Sequence, residues 1–427
     1  MQFQPMELLT NDTICAISTP PGMGGIAVIR ISGPKALEIV DKAWSGSKLA
    51  HAKTHTAHLG NVIAHDGSPI DQCVATVFRT PGSYTGEDTV ELSVHGSTYI
   101  QQAVITRLCS LGARLAEPGE FTRRAFTSGR IDLTQAEAIA DLINARSKAA
   151  HRIAMQQMRG QISTRLESLR QQLIELGALL ELELDFSEED VEFADRSHLL
   201  GIAKEVDSEI THLLDSFARG SAIKQGIPVA IVGPTNVGKS SILNALVGDD
   251  RAIVSDIHGT TRDLIEDTIV MGDHMFRFID TAGLRDTSDT VENLGIERTY
   301  RAIDRASIII QVVDATRPDT DITLNVPAHA TLIRVINKID IPGEHQAKGA
   351  EISMSALTGQ GIDRLRQALT HAAGDTPDDT QVLLTNVRQQ QALQSASQAI
   401  KRVITSLSPT GTTSVSADYA SGDILPI

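Results

Sequence analysis

Gly233-Pro234-Thr235-Asn236-Val237-Gly238-Lys239-Ser240 matches G-x-x-x-x-G-K-[ST] at every fixed position, and no other stretch constrains the fold as much. The apolar run Ile227-Pro228-Val229-Ala230-Ile231-Val232 precedes it and Ser241-Ile242-Leu243-Asn244-Ala245-Leu246 follows, which gives a strand–loop–helix context. Glycines let backbone N–H groups turn toward phosphate oxygens, and the helix N-terminus adds partial positive charge. Lys239 is expected to reach the β- and γ-phosphates, and the Ser240 hydroxyl to ligate Mg²⁺. Asn236, Val237, Gly238 and Ser241 complete the expected contacts of this loop with nucleotide.

Further motifs follow in a fixed order. Gly259-Thr260-Thr261-Arg262-Asp263 offers a switch threonine, Thr261, that can ligate Mg²⁺ and sense the γ-phosphate. Asp280-Thr281-Ala282-Gly283 follows the apolar run 275–279; its aspartate suits the Mg²⁺ shell and its glycine N–H the γ-phosphate. Asn337-Lys338-Ile339-Asp340 follows another apolar run, 331–336. Asp340 can accept hydrogen bonds from the N1 and N2 donors of guanine, which adenine lacks, so the nucleotide is expected to be GTP. Ser355-Ala356-Leu357 matches the loop that backs the base. The module is therefore expected to be a Ras-like P-loop GTPase domain with a doubly wound, mostly parallel sheet.

The position after the D-x-x-G motif, where many GTPases carry a water-orienting glutamine, is Leu284. Leucine can neither orient water nor donate to the transition state, so another group must supply that stabilisation.

The chain of 427 residues is too long for one core, and about three domains are expected. No apolar run reaches the length of a membrane span, and the N-terminus lacks a basic-then-apolar signal, which points to the cytoplasm. The three cysteines, Cys15, Cys73 and Cys109, have no C-x-x-C spacing and suggest neither a zinc site nor a disulfide scaffold. A formal net charge of −15 is the wrong sign for a broad nucleic-acid-binding surface. Aromatic residues make up only 3%, which argues against a base-stacking platform.

Residues 1–125 read as α+β, with strands at 13–18, 26–32, 56–63, 73–79 and 89–95 and helices at 34–44 and 97–111. From Thr134 the period becomes helical. Ile162, Leu166, Leu169, Leu173, Leu176, Leu180 and Leu184 form one stripe. After the acidic break Glu188-Glu189-Asp190, Leu199, Ile202, Val206, Ile210, Leu213 and Phe217 form a second, expected to end at Gly220. A third stripe occupies 386–407, and residues 408–427 read as a loose tail. Four segments are expected: the α+β domain at 1–125, a helical segment at 126–222, the GTPase domain at 223–376, and a second helical segment at 377–427. The multidomain α/β chain thus carries its GTPase module as an insertion in a helical domain.

Outside the GTPase signature the sequence resembles the MnmE (TrmE) family of tRNA-modification GTPases. The resemblance rests on Thr19-Pro20-Pro21-Gly22-Met23-Gly24-Gly25-Ile26-Ala27-Val28-Ile29-Arg30, Ser83-Tyr84-Thr85-Gly86-Glu87-Asp88, and Pro118-Gly119-Glu120-Phe121-Thr122-Arg123-Arg124-Ala125-Phe126 leading to Asp132-Leu133-Thr134-Gln135-Ala136-Glu137-Ala138. It implies a homodimer whose N-terminal domain binds a 5-formyl- or methylene-tetrahydrofolate through positions that fall on Arg30, Glu91 and Arg130. It also implies K⁺-stimulated GTP hydrolysis, with K⁺ held by Asn236, Ser255, Ile257 and Thr260, and with Glu292 as the catalytic group that positions water. An FAD-binding partner, MnmG (GidA), would join it in adding an aminomethyl-type group to C5 of wobble uridine in certain tRNAs.

The family's terminal C-x-G-K motif is implied too, but the sequence ends Ile424-Leu425-Pro426-Ile427 without it. GTP hydrolysis is expected to be retained, and the modification step to lack those two side chains. A different class of function, an RNA- or ribosome-assembly GTPase switch, would call for a basic appendage. A GTP-gated membrane-facing dimer would call for amphipathic or basic membrane-binding segments. No basic appendage is visible in this acidic chain, and the paired helices at 134–219 show no membrane-facing amphipathic or basic segment.

Overall fold

The computed structural model describes residues 12–186, 196–248, 267–279, 300–317, 324–342, 351–375 and 381–408. The chain divides into two compact units, residues 1–137 and 138–427.

The first unit is built on a sheet of strands β1 (Ile14–Ile17), β2 (Gly24–Ser32), β3 (Trp44–Ser45), β4 (Thr56–Ile63), β5 (Pro69–Phe78), β6 (Thr89–Gly96) and β7 (Arg114–Leu115). Their order is β3-β4-β5-β6-β2-β1-β7, antiparallel except for the parallel β1–β7 pair. Alternation decides which face is buried. Ala27, Ile29 and Ile31 of β2 meet Leu92 and Val94 of β6 and Ala75 and Val77 of β5 in one core. Helices α1 (Ala36–Lys42) and α2 (Thr98–Ser110) close that core with Leu37, Ile39, Val40, Val104 and Leu108. Residues 26, 28, 30 and 91 alternate onto the opposite face, and this places Arg30 and Glu91 away from the core.

Cys15 and Cys73 are buried, as strand-borne apolar residues should be. The fold also brings Cys15 Sγ within 3.9 Å of Cys109 Sγ, a proximity that 94 residues of separation conceal in the sequence. Helix α3 (Glu120–Thr127) follows β7. Helix α4 (Leu133–Asn144) starts with a reciprocal cap: Gln135 N donates to Asp132 Oδ1 and Asp132 N donates to Gln135 Oε1.

In the second unit, α5 (Lys148–Met158), α6 (Gln161–Phe186), α7 (Arg196–Gln225) and a C-terminal helix (Val387–Leu407) pack together. Leu169, Leu173, Leu176 and Leu180 from the first stripe meet Leu199, Val206, Ile210 and Leu213 from the second and Leu393, Ile400, Val403 and Leu407 from the third. Each such fully buried side chain contributes about 1.5–3 kcal/mol relative to an exposed one. The acidic break at 188–190 lies outside the described residues.

One expectation is corrected here. The second stripe does not end at Gly220, because α7 runs on to Gln225. Gly220 is a close-approach residue: a Cβ there would sit 2.2 Å from the Leu384 carbonyl oxygen. The glycine lets the returning chain lie against the helix instead of stopping the helix.

Between α7 and that return lies a sheet of β8 (Ile227–Val232), β9 (Asp267–Met271), β10 (His274–Phe278), β11 (Ile308–Asp314), β12 (Thr331–Asn337) and β13 (Ile352–Ser353). Its order is β13-β12-β11-β8-β10-β9, parallel except for the β9–β10 hairpin. The strands of its centre are apolar without alternation, Ile308–Asp314 being buried throughout, as a sheet covered on both faces requires. Helices α8 (Lys239–Val247) and α9 (Ile362–Ala372) cover one face through Ile242, Leu243, Leu246, Leu365 and Leu369. Parallel order places the C-terminal ends of β8, β11 and β12 side by side, where ligands of such sheets bind.

Candidate nucleotide-binding site

The 233–240 loop leaves the end of β8 and feeds the first turn of α8. Gly238 has φ of +96°, and a Cβ there would lie 2.2 Å from Asn337 Nδ2. Only glycine suits both the turn and the approach of β12. Asn236, exposed at the tip, takes a left-handed φ of 64°. Lys239 Nζ donates to the carbonyls of Gly233 at 2.8 Å and Pro234 at 2.7 Å, so it lies under the loop. Burial pushes its ammonium below the usual lysine value. Phosphate oxygens would supply the negative charge that this half-buried cation lacks.

The end of β12 braces the loop. Asn337 Nδ2 donates to Val237 O at 2.8 Å while its Oδ1 accepts from Ala356 N at 3.0 Å. One side chain thus ties the phosphate loop to the 355–357 segment. Lys338 Nζ donates to Asn236 O and to Asp314 Oδ2, both at 2.6 Å. The 355–357 turn is internally fixed: Ser355 N donates to Gln360 O, and Thr358 N donates to Ser355 Oγ. Ser355 is buried, whereas Asp340 is exposed and Leu357 is 85% exposed, so the groups expected to face guanine are accessible.

Asp314 was not among the sequence-derived candidates. It ends β11 in register with Asn337 on β12 and also accepts from Thr316 N and Oγ1. Burial alone would raise its carboxyl, but the hydrogen bonds from Lys338 and Thr316 outweigh that and hold it below the usual range. An aspartate closing the apolar run 308–313 was the available signal.

The structure therefore brings together Asn236, Val237, Gly238, Lys239, Asn337, Lys338, Ser355 and Ala356. Ser240 and Ser241 occupy the first turn of α8. Ser255, Ile257, Thr260, Thr261, Asp280, Thr281, Ala282, Gly283, Leu284 and Glu292 lie outside the described residues.

In the first unit, Arg30 and Glu91 are cross-strand partners on β2 and β6. Arg30 Nε and Nη2 both reach Glu91 Oε1 at 2.8 Å. The guanidinium carbon lies 5.0 Å from the centre of the Tyr84 ring and 5.5 Å from that of Phe121, two aromatic neighbours that the sequence reading missed. Arg30 Nη1 and Glu91 Oε2 make no hydrogen bond among the described residues. A donor and an acceptor beside two aromatic rings fit the planar, donor-edged pterin of a folate. Arg130 is exposed, and its stem packs beside Gly86, in the same loop as Tyr84. Its guanidinium has no ion-pair partner among the described residues, and no direct bond joins it to Arg30 or Glu91.

Two family models match the chain: that of the MnmE helical domain over residues 133–420, and that of the GTP-binding protein TrmE N-terminus over residues 13–130. A tRNA modification GTPase MnmE from Parabacteroides distasonis is 47% identical over an alignment of 437 residues that covers 96% of this chain and 93% of the relative. The chain belongs to the MnmE (TrmE) family. An MnmE from Bacteroides fragilis is likewise 47% identical, across 97% of this chain and 93% of its own. Among solved structures, the FeoB G-domain from Methanococcus jannaschii aligns with 35% of this MnmE-family chain and 98% of its own. At 23% identity and a TM-score of 0.26, that likeness carries no further argument.

Proposed function

We propose that this chain hydrolyses GTP in the service of tRNA modification, as the names of its relatives state for them. The single observation that carries the GTPase reading is the bracing of the 233–240 loop by Asn337 and Lys338 while Asp340 stays accessible. These groups would read phosphate and guanine on one rigid edge.

The finer reading is that hydrolysis is K⁺-stimulated, with Mg²⁺ held by Ser240 and Thr261. Glu292 would position the attacking water in place of the glutamine absent at Leu284. Asn236 supports the role of potassium: its side chain is exposed and makes no hydrogen bond among the described residues, and its backbone is pinned by Lys338. An oxygen donor so placed suits a hard monovalent cation, whose charge would offset that developing between phosphates. Ser255, Ile257 and Thr260 would complete the cation's shell. The unaltered chain is expected to hydrolyse GTP at least ~10-fold faster in K⁺ than in Na⁺, a part of the ~10²–10³-fold that one electrostatic contact in a site of this kind can contribute. Asn236→Ala should remove that difference while leaving nucleotide affinity within ~3-fold. Equal rates of the unaltered chain in the two salts would refute the potassium mechanism.

A tetrahydrofolate at Arg30, Glu91 and Arg130, a homodimer, an FAD-dependent MnmG partner and a cytoplasmic location complete the proposal. No helix among the described residues is long and apolar enough to cross a membrane. The segments 1–125, 126–222, 223–376 and 377–427 are the corresponding functional division.

The deciding experiment is nucleoside mass spectrometry of tRNA from cells that lack their own modification GTPase. They would be supplied with this chain and its flavoprotein partner. C5-modified wobble uridine is expected to return. Its absence, alongside intact GTP hydrolysis, would leave a GTPase without the modification role.

A further inference from the structure

Arg124 is 7% exposed and stands among three carboxylates. Its Nη2 donates to Asp12 Oδ1 at 2.5 Å and to Glu120 Oε1 at 3.0 Å, and its Nη1 donates to Asp12 O at 2.9 Å and to Glu87 Oε1 at 3.2 Å. Glu120 is buried too, and accepts further bonds from Arg114 Nη1 and Nη2 and from Glu117 N. Glu87 accepts from Ser32 Oγ at 2.8 Å, and Ser32 lies two residues along β2 from Arg30.

Two of the three carboxylates that Arg124 grips, Glu87 and Glu120, lie on the two segments that frame Arg30. Glu87 is three residues from Tyr84, and Glu120 is adjacent to Phe121. The segments are also joined directly, Tyr84 Oη lying 2.9 Å from Thr122 Oγ1. Taken as a stability device, a buried charge cluster is a poor choice, since well-packed apolar residues often serve as well. What a planar fork with fixed donors adds is geometry.

We propose that Arg124 is a positioning residue: by holding Glu87 and Glu120 together it sets the spacing of Tyr84 and Phe121 around Arg30, and hence the shape of the ligand site there. This rests on Arg30 and Glu91 being folate contacts. Arg124 reaches neither of them directly. Its effect on ligand passes through the two rings, which makes the idea separable from a general loss of stability. Lysine keeps the charge but cannot fork to three carboxylates, so Arg124→Lys should loosen the frame. Glu87→Gln removes one charged grip while keeping the shape.

The test is calorimetric titration of the full chain with 5-formyltetrahydrofolate, well below its melting temperature. Arg124→Lys and Glu87→Gln are each expected to weaken binding ~10-fold with GDP affinity unchanged, the loss typical of a binding group left slightly out of place. In a Tyr84→Leu, Phe121→Leu background the same changes should add less than ~2-fold, because the route of coupling is already gone. Unchanged folate affinity with only a lower melting temperature would overturn the proposal, as would full additivity in the ring-less background. Should Arg124→Lys not fold, the isosteric Glu87→Gln still decides. If the unaltered chain binds no folate, or Arg30→Ala leaves binding unchanged, the folate reading fails and the role of Arg124 falls with it.

Discussion

Replacing Asp340 by asparagine is expected to weaken GTP binding by at least ~10²-fold and to create binding of xanthosine triphosphate. Guanine presents two N–H donors toward the place an accessible carboxylate at 340 would occupy, whereas xanthine presents one N–H and one carbonyl. A carboxylate satisfies the first pattern and an amide the second. A site built for particular donors rejects an analogue that lacks them by ~10⁴ or more, because its buried polar groups are left unpaired. Competition between labelled GDP and unlabelled xanthosine diphosphate reads the exchange. The neighbours make the experiment clean: Asn337 and Lys338 hold the loop through their own bonds to Val237, Asn236 and Asp314, none of which involves Asp340. If Asp340→Asn binds GTP as tightly as before, Asp340 does not read the base and the GTP assignment loses its chemical footing.

Lys239→Ala is expected to lower single-turnover GTP hydrolysis by ~10²–10³-fold, the scale of one lost donor to developing charge in a dry site. Affinity should fall as well, because two effects coincide. The half-buried ammonium is the charge that phosphate oxygens would meet, and it also ties the loop through Gly233 O and Pro234 O. Lys239→Arg tests shape against charge, since a guanidinium keeps the charge but not the compact reach. Measurement at saturating nucleotide separates chemistry from binding. A rate within ~5-fold of the unaltered chain would mean that this loop does not do phosphate chemistry.

The phosphate and guanine motifs were legible because each is a short run whose spacing is set by one turn of backbone against one chemical group. The inserted sheet was legible for a related reason: apolar runs such as Ile227–Val232 read as strands in the sequence and are strands of that sheet. Contacts made across the chain were not legible. Asp314 acquires its partner Lys338 only once β11 and β12 are in register. Tyr84 and Phe121 look like a loop tyrosine and a helix phenylalanine until the sheet brings Arg30 between their segments. Arg124, one of a pair of adjacent arginines, gives no hint of burial among Asp12, Glu87 and Glu120. Gly220 was misread because a glycine that ends a helix and one that admits a neighbouring backbone look identical in sequence.

That neighbouring backbone has a consequence for the order in which the molecule is made. Gly220 lies against Leu384, Leu384 N donates to Ser216 Oγ, and Gln157 Nε2 reaches Leu383 O and Thr385 Oγ1. The helical core needs residues that flank the inserted sheet on both sides, among them Leu384, Leu393 and Ile400 from beyond it. A ribosome adding ~5–20 residues per second delivers those last partners on the order of ten to thirty seconds after α7 has emerged. For that interval the leucine stripes of α6 and α7 lack their third helix, while the nucleotide module, complete in one stretch of chain, can already close. Birth order thus runs opposite to the usual N-to-C sequence: the guest is finished before its host.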